Sequence, residues 1–120
     1  MTNKMTERVT SSFESQSMMK TLRARIHKVL KGKVSIEVPL LPSMCQQQGY
    51  AHAGLTFSIG DSAAGYSALT VMPENQEVMT AEIKINLLAP ADGELLRAEG
   101  KVVKNGKRLV IVTSEIYALK

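Results

Sequence analysis

Residue types that mark several protein classes are scarce in this chain. Cys45 is the only cysteine among 120 residues, so no disulfide can form within the chain. There are only two histidines, and the usual zinc patterns, which need several Cys or His residues at close spacing, are missing. We therefore expect no metal ion, no other cofactor and a reducing, cytoplasmic setting.

Long apolar runs and aromatic residues are also scarce. Residues 1–21 mix Lys4, Glu7, Arg8 and Glu14 among polar residues, so we expect neither a signal peptide nor a membrane span. Aromatic residues make up 4% of the chain, which leaves few platforms on which nucleic-acid bases could stack. The formal charge of +4 would help to attract a phosphate-bearing partner. The sequence thus predicts no nucleic-acid and no membrane partner.

The amounts of apolar and charged residues are those of an ordinary globular protein. Hydrophobic residues make up 44% and charged residues 22% of the chain, and 120 residues suffice for one hydrophobic core. We therefore expect a single domain over residues 1–120.

The N-terminal half alternates between helical and extended patterns. Apolar residues at helical spacing predict an amphipathic helix over residues 6–22. Residues 24–30 and 33–40 alternate in part around Lys31 and Gly32, which is typical of a hairpin. The glutamine-rich residues 43–50 then have the composition of a loop.

Residues 52–71 form an unusual helical pattern. The segment carries little charge, which favours burial on nearly all sides. Gly60, Ala64 and Gly65 are among the small residues that would let a sheet wrap closely around this helix.

The C-terminal half has the pattern of an antiparallel meander. Strand-like runs cover residues 78–88, 94–104 and 108–119. Turn signals at residues 91–93 and 105–107 separate them, and the second contains the Asn-Gly pair favoured in tight hairpins. The predicted class is α+β.

Four residues around the start of the buried helix follow a distinctive spacing. Gln46 is followed three residues later by Gly49 and six residues later by His52, and Asp61 comes nine residues after His52. This spacing resembles the signature of the PaaI-type hotdog thioesterases. The resemblance implies a hotdog fold, in which an antiparallel sheet wraps around a long central helix beside an N-terminal helix. It also implies an acyl-CoA thioesterase.

The resemblance gives each matched residue a task. Asp61 would act as general base toward water or as the nucleophile on the thioester carbon. The backbone amide of Ala53 would polarise the carbonyl, because amides at a helix start are unpaired. Gln46 would supply a second polarising contact or orient the loop, His52 would hold the turn, and Thr80 would position the water.

The resemblance further implies a site shared between two subunits, one giving the carboxylate and the other the polarising turn. We expect a homodimer or a dimer-of-dimers homotetramer with acyl-CoA as the substrate. The residues expected to line the substrate groove are Gly49, Gly54, Ser62 and Gly65.

Two departures from the family pattern keep alternatives open. Ala53 replaces the first glycine of the usual His-Gly-Gly turn. The family also has a further strand after the run that matches residues 108–119, whereas this chain stops at Lys120. Either the chain is shortened, or neighbouring strands close the gap, or a partner supplies the edge. The rival interpretations are a non-catalytic acyl-CoA-binding module and a hotdog dehydratase, whose signatures are not visible.

Overall fold

The computed structural model describes residues 3–120 as two short helices, a four-stranded sheet and one long helix. Residues 1 and 2 of the predicted domain lie outside this description. The elements in chain order are α1 (Lys4–Glu14), α2 (Ser17–Thr21), β1 (Arg25–Leu30), β2 (Lys33–Pro39), α3 (Ala53–Leu69), β3 (Leu95–Asn105) and β4 (Val110–Leu119). No helix among these residues is long and apolar enough to span a bilayer.

The N-terminal helix is shorter than predicted, because residues 6–22 form two helices instead of one. The Asn3 side chain caps α1 by accepting a hydrogen bond from the Thr6 amide at 2.7 Å. The Ser15 hydroxyl bonds back to the Ser11 carbonyl, a local contact that competes with helical continuation. Gln16 then takes an extended backbone conformation, and its side chain bonds to α3. The helical period could not reveal this break, because a tertiary contact fixes it.

The four strands form one antiparallel sheet in the order β1-β2-β3-β4. The turns at residues 31–32 and 105–107 join neighbouring strands as predicted. Strand β2 lies in the interior, with Val34, Ile36 and Val38 each at most 1% exposed. The predicted hairpins and the antiparallel pairing of β3 with β4 are confirmed.

Helix α3 lies against one face of the sheet, and nine of its 17 residues are buried. Its small residues allow the close approach that the sequence predicted. Gly100 of β3 faces Ala63, and a Cβ atom at residue 100 would overlap the Ala63 carbonyl. The Ser67 hydroxyl accepts a hydrogen bond from the Val34 amide at 2.9 Å, which ties the helix to β2. Asp61 is the only charged residue of this helix.

The prediction of a strand over residues 78–88 is wrong. These residues form neither helix nor strand, and residues 79–88 are all exposed. Their alternation indicated an extended segment, but a strand also requires a neighbour with which to exchange backbone hydrogen bonds. Met79 and Leu88 are 91% and 93% exposed, so even large apolar side chains remain uncovered here.

The far edge of β4 is also left without a neighbouring strand. Within residues 3–120, β4 pairs with β3 alone, so one row of its backbone donors and acceptors faces no strand. Residues 78–88 do not move in to fill this edge. Of the three ways in which the sheet was expected to be completed, closure by neighbouring strands is therefore not the one observed.

Candidate active site

Asp61 lies in the middle of α3 on the side turned toward residues 77–80. The Thr80 hydroxyl donates a hydrogen bond to Asp61 Oδ1 at 2.8 Å. Val78 packs beside the same stretch of helix, since a Cβ on Gly65 would lie 3.5 Å from its Cγ1. The side chain of Asp61 is half-buried. The structure thus brings together the predicted carboxylate and the predicted water-positioning hydroxyl.

A small polar cavity of about 180 Å³ adjoins Asp61. Ser62 and Gly65, both predicted to line the substrate groove, contribute to its wall. The Ser62 hydroxyl donates to Gln16 Oε1 at 3.3 Å, and Gln16 Nε2 donates to the Tyr66 hydroxyl at 3.0 Å. Several groups that can hold a water molecule or a polar substrate atom therefore surround the carboxylate.

The start of α3 presents a free backbone donor. His52 caps the helix, and its Nδ1 accepts a hydrogen bond from the Gly54 amide at 2.8 Å. An Nδ1 that accepts carries no proton, so a neutral His52 has its proton on Nε2. The Ala53 amide, in contrast, donates to no acceptor among residues 3–120. This N–H is exposed at the positive end of the helix dipole, where a developing oxyanion is stabilised.

Gln46 organises the loop that precedes this turn. Its Oε1 accepts hydrogen bonds from the amides of Gln48 at 2.6 Å and Tyr50 at 3.1 Å. Gly49 has a φ of +90°, a left-handed conformation that favours glycine. Gln46 thus bonds to the backbone of its own loop, as a loop-orienting role requires.

A second, larger groove of about 520 Å³ begins at the His52 turn. Gly54, which was predicted to line the substrate groove, is part of it, and the rest is mostly apolar and contains two methionines. Methionine adapts its shape readily, so this groove suits an apolar group of variable outline. The other side chains that line it include Met18, Leu22, Met44, Leu55 and Phe57.

The carboxylate and the free amide of one chain are too far apart to act on one bond. Asp61 follows Ala53 by eight residues in α3, which is about 12 Å at about 1.5 Å per residue. The amides of the first helical turn also point out of the N-terminal end, away from Asp61. Reacting groups need to come within about 3–3.5 Å. A reaction that uses both groups therefore needs two copies of the chain.

Sequence reasoning missed the residues that α1 and the α1–α2 junction bring to the Asp61 cavity. Ser12 and Gln16 line it, and Tyr66 contributes its hydroxyl. Their partners lie about 50 positions away in the chain, so no local pattern marks them.

The strongest charge cluster of the described residues lies outside this site. Glu37 points to the sheet face opposite α3, where its side chain is only 4% exposed. Arg25 Nη2 donates to its Oε1 at 2.8 Å and Arg97 Nε to its Oε2 at 2.8 Å, while His27 Nε2 lies 3.6 Å from Oε2. Burial raises the pKa of the Glu37 carboxyl, but the arginine hydrogen bonds and the nearby positive charges outweigh it, so this pKa lies below its ordinary value.

Comparisons with known proteins identify the family to which this chain belongs. The sequence profile of the Thioesterase superfamily matches residues 48–120. The chain is similar to the crystal structure of a thioesterase family protein from Silicibacter pomeroyi, with a TM-score of 0.93 and 40% identity over 95% of this chain and 84% of that one.

Two relatives carry names of hydrolases. A protein of Saccharolobus solfataricus named as a candidate esterase is 30% identical over 102 residues, which cover 85% of this chain and 72% of the relative. The 1,4-dihydroxy-2-naphthoyl-CoA hydrolase of Listeria monocytogenes is 27% identical over 75% of this chain and 73% of that enzyme.

The profile match includes the His52 turn, Asp61 and Thr80, and the TM-score confirms the hotdog arrangement of the sheet around α3. The chain is a hotdog-fold member of the thioesterase superfamily and a thioester hydrolase.

Proposed function

We propose that this protein hydrolyses acyl-CoA thioesters in a site built from two copies of the chain. Asp61 of one subunit would activate water or attack the thioester carbon. The Ala53 amide of the other would stabilise the oxygen of the carbonyl. The observation that carries this proposal is the free Ala53 N–H, which lies about 12 Å along α3 from the carboxylate of its own chain.

The two routes open to Asp61 both require its ionised form. As general base, the carboxylate takes a proton from water, whose oxygen then bonds to the thioester carbon while the bond to sulfur breaks. As nucleophile, an Asp61 oxygen bonds to that carbon while the bond to sulfur breaks and CoA leaves as its thiolate, and water later hydrolyses the resulting anhydride. The Thr80 hydroxyl, 2.8 Å from Oδ1, is placed to fix the carboxylate or the water in either route.

The acyl group and the CoA carrier would occupy different surfaces. The groove at the His52 turn is mostly apolar and suits the acyl group, whereas the formal charge of +4 favours approach of the CoA phosphates. The Listeria relative is named for the hydrolysis of a CoA thioester, which supports CoA as the carrier. The single free cysteine is consistent with a cytoplasmic location.

Replacing Ala53 with proline tests the role of its amide without disturbing the helix. Proline has no N–H, and the first position of a helix tolerates it. His52, with φ −63° and ψ 139°, already has the extended conformation that a following proline requires. We expect Ala53→Pro to lower kcat about a hundredfold, the usual effect of losing one oxyanion donor. The matched control Ala53→Gly keeps the N–H and should retain activity.

Mixing two inactive variants tests the shared site. In a jointly refolded equimolar mixture of Ala53→Pro and Asp61→Asn, half of the dimers would be mixed, and one of their two sites would have both native groups. Release of free CoA thiol should therefore recover to about a quarter of the native rate.

Failure to recover, in a sample where mass spectrometry shows mixed dimers, would place each site within one chain. If Ala53→Pro keeps full activity, the amide has no catalytic part. Acyl-CoA binding by the native protein without thiol release would instead support the non-catalytic module.

A further inference from the structure

Arg8 of α1 binds the end of α3 and the loop that follows it. Its Nη1 donates to the carbonyls of Leu69 at 3.2 Å and Met72 at 3.0 Å. Its Nη2 donates to the carbonyl of Pro73 at 2.9 Å and to that of Gln76. Two successive turns span residues 69–72 and 73–76. The guanidinium of Arg8 thus binds the first and the last carbonyl of each turn.

The segment that begins after these turns has few other anchors. Among the described residues, the only hydrogen bond made by residues 77–90 joins Thr80 to Asp61. Val78 is the one residue of this segment that packs against the core cluster, and the next backbone tie is at Ala91. The location of Thr80 is therefore set mainly by the Gln76 end of the segment, which Arg8 holds.

We propose that Arg8 is a positioning residue of the active site. By fixing the carbonyls of residues 69–76, it holds residues 77–80 against α3 and so keeps the Thr80 hydroxyl on Asp61. Arg8 touches neither the carboxylate nor the substrate groove; it acts only through the backbone. This inference rests on the proposed function, because Thr80 and Asp61 belong to the proposed site.

The four carbonyl partners of residue 8 explain why an arginine is needed at this position. The planar guanidinium presents several N–H donors in a fixed fork and can serve four carbonyls at once. A lysine would keep the positive charge near the C-terminal end of α3 but could not bridge both turns. Arg8→Lys therefore separates positioning from simple charge stabilisation of the helix end.

A double-mutant cycle measures whether Arg8 acts through Thr80. We expect Thr80→Ala to lower kcat about tenfold and Arg8→Lys to lower it about fivefold, with little change in KM. In the Thr80→Ala background, Arg8→Lys should have almost no further effect, because the hydroxyl that it positions is gone. A purely structural Arg8 would give the same loss in both backgrounds, and this additivity would overturn the proposal.

Hydrogen exchange gives a readout that does not depend on catalysis. Arg8→Lys should raise amide exchange severalfold at Met72 and Gln76, whose N–H groups donate to the Leu69 and Pro73 carbonyls that Arg8 also binds, and should leave that of β3 unchanged. The control Arg23→Lys alters an exposed arginine whose side chain has no hydrogen bond to any described residue, and it should change neither exchange nor kcat. Unchanged exchange at Met72 and Gln76 in Arg8→Lys would refute the positioning role. A native protein without thioesterase activity would refute the proposed function while this exchange test still decides the role of Arg8.

Discussion

The two sides of helix α3 are held in contrasting ways. On the sheet side, buried side chains of β2 and β3 pack against the helix, and Ile36, Val38, Leu96 and Ala98 are fully buried. On the other side, residues 77–90 contact the helix through Val78 and through one hydrogen bond from Thr80. The first side contains the stabilising core, and the second contains the proposed catalytic carboxylate.

This difference separates the stabilising core from the proposed active site along one helix. Residues 3–120 form a core on the sheet face that does not need Asp61 or Thr80. The proposed chemical groups lie where packing is sparse and a second subunit or a substrate has room to approach. Substitutions on the sheet side should therefore change folding, and substitutions on the Asp61 side should change turnover.

The largest effect is expected for Asp61→Ala. Loss of the general base or nucleophile should lower kcat about a thousandfold, which corresponds to about 4 kcal/mol in the barrier. The melting temperature should change little, because the half-buried carboxylate makes one hydrogen bond, to Thr80. Thiol release from acyl-CoA and a thermal melt measure the two quantities. If the melting temperature fell together with the activity, Asp61 would also stabilise the fold, and stability and turnover would not depend on different sides of α3.

Replacing one isoleucine on each side compares how much the two sides of α3 contribute to the free energy of unfolding. Ile36 is 0% exposed in the core, and Ile83 is 41% exposed in the unpaired segment. Ile36→Ala should lower the free energy of unfolding by about 3 kcal/mol, because it leaves a cavity. Ile83→Ala should change it by less than about 0.5 kcal/mol. Urea denaturation measures both, and a large loss at Ile83 would show that the segment is covered in solution.

A smaller effect with a distinct pH dependence is expected for Glu37→Gln. Since its pKa is lowered in the folded protein, the ionised carboxylate stabilises the fold above the ordinary carboxyl range. That stabilisation is lost as the pH falls through the lowered folded-state pKa.

Glu37→Gln should therefore cost about 1–3 kcal/mol at neutral pH, where it weakens the charged hydrogen bonds from Arg25 and Arg97, and less in acid. Unfolding curves from neutral to acid pH would show the two proteins converging. A constant difference across this range would contradict the assigned direction of the shift. Its turnover at neutral pH should stay near native, since Glu37 faces away from α3.

The sequence predicted the features that depend on near neighbours. The buried helix followed from its lack of charge, and the Asn105–Gly106 turn followed from the backbone conformations that these residues allow. His52 and Asp61 were found by their spacing from Gln46. The structure placed His52 at the helix cap and Asp61 beside Thr80.

What failed or was missed depends on partners distant in the chain. The break at Gln16 reflects hydrogen bonds to Tyr66 and Ser62, about 50 residues away. The alternation of residues 78–88 predicted a strand, but pairing depends on a neighbouring strand, and none of the described strands pairs with this segment. Arg8 looked like one polar residue of an amphipathic helix, although its four carbonyl partners are more than 60 residues away.

The sequence by itself determined the secondary structure around α3 and the spacing of its candidate site residues, because backbone preferences and side-chain period act over a few positions. Only the tertiary structure decided which strand edges remain unpaired, which residues surround Asp61, and that the Ala53 amide is free. Those features arise from contacts between segments far apart in the chain, and no local pattern of residues encodes them.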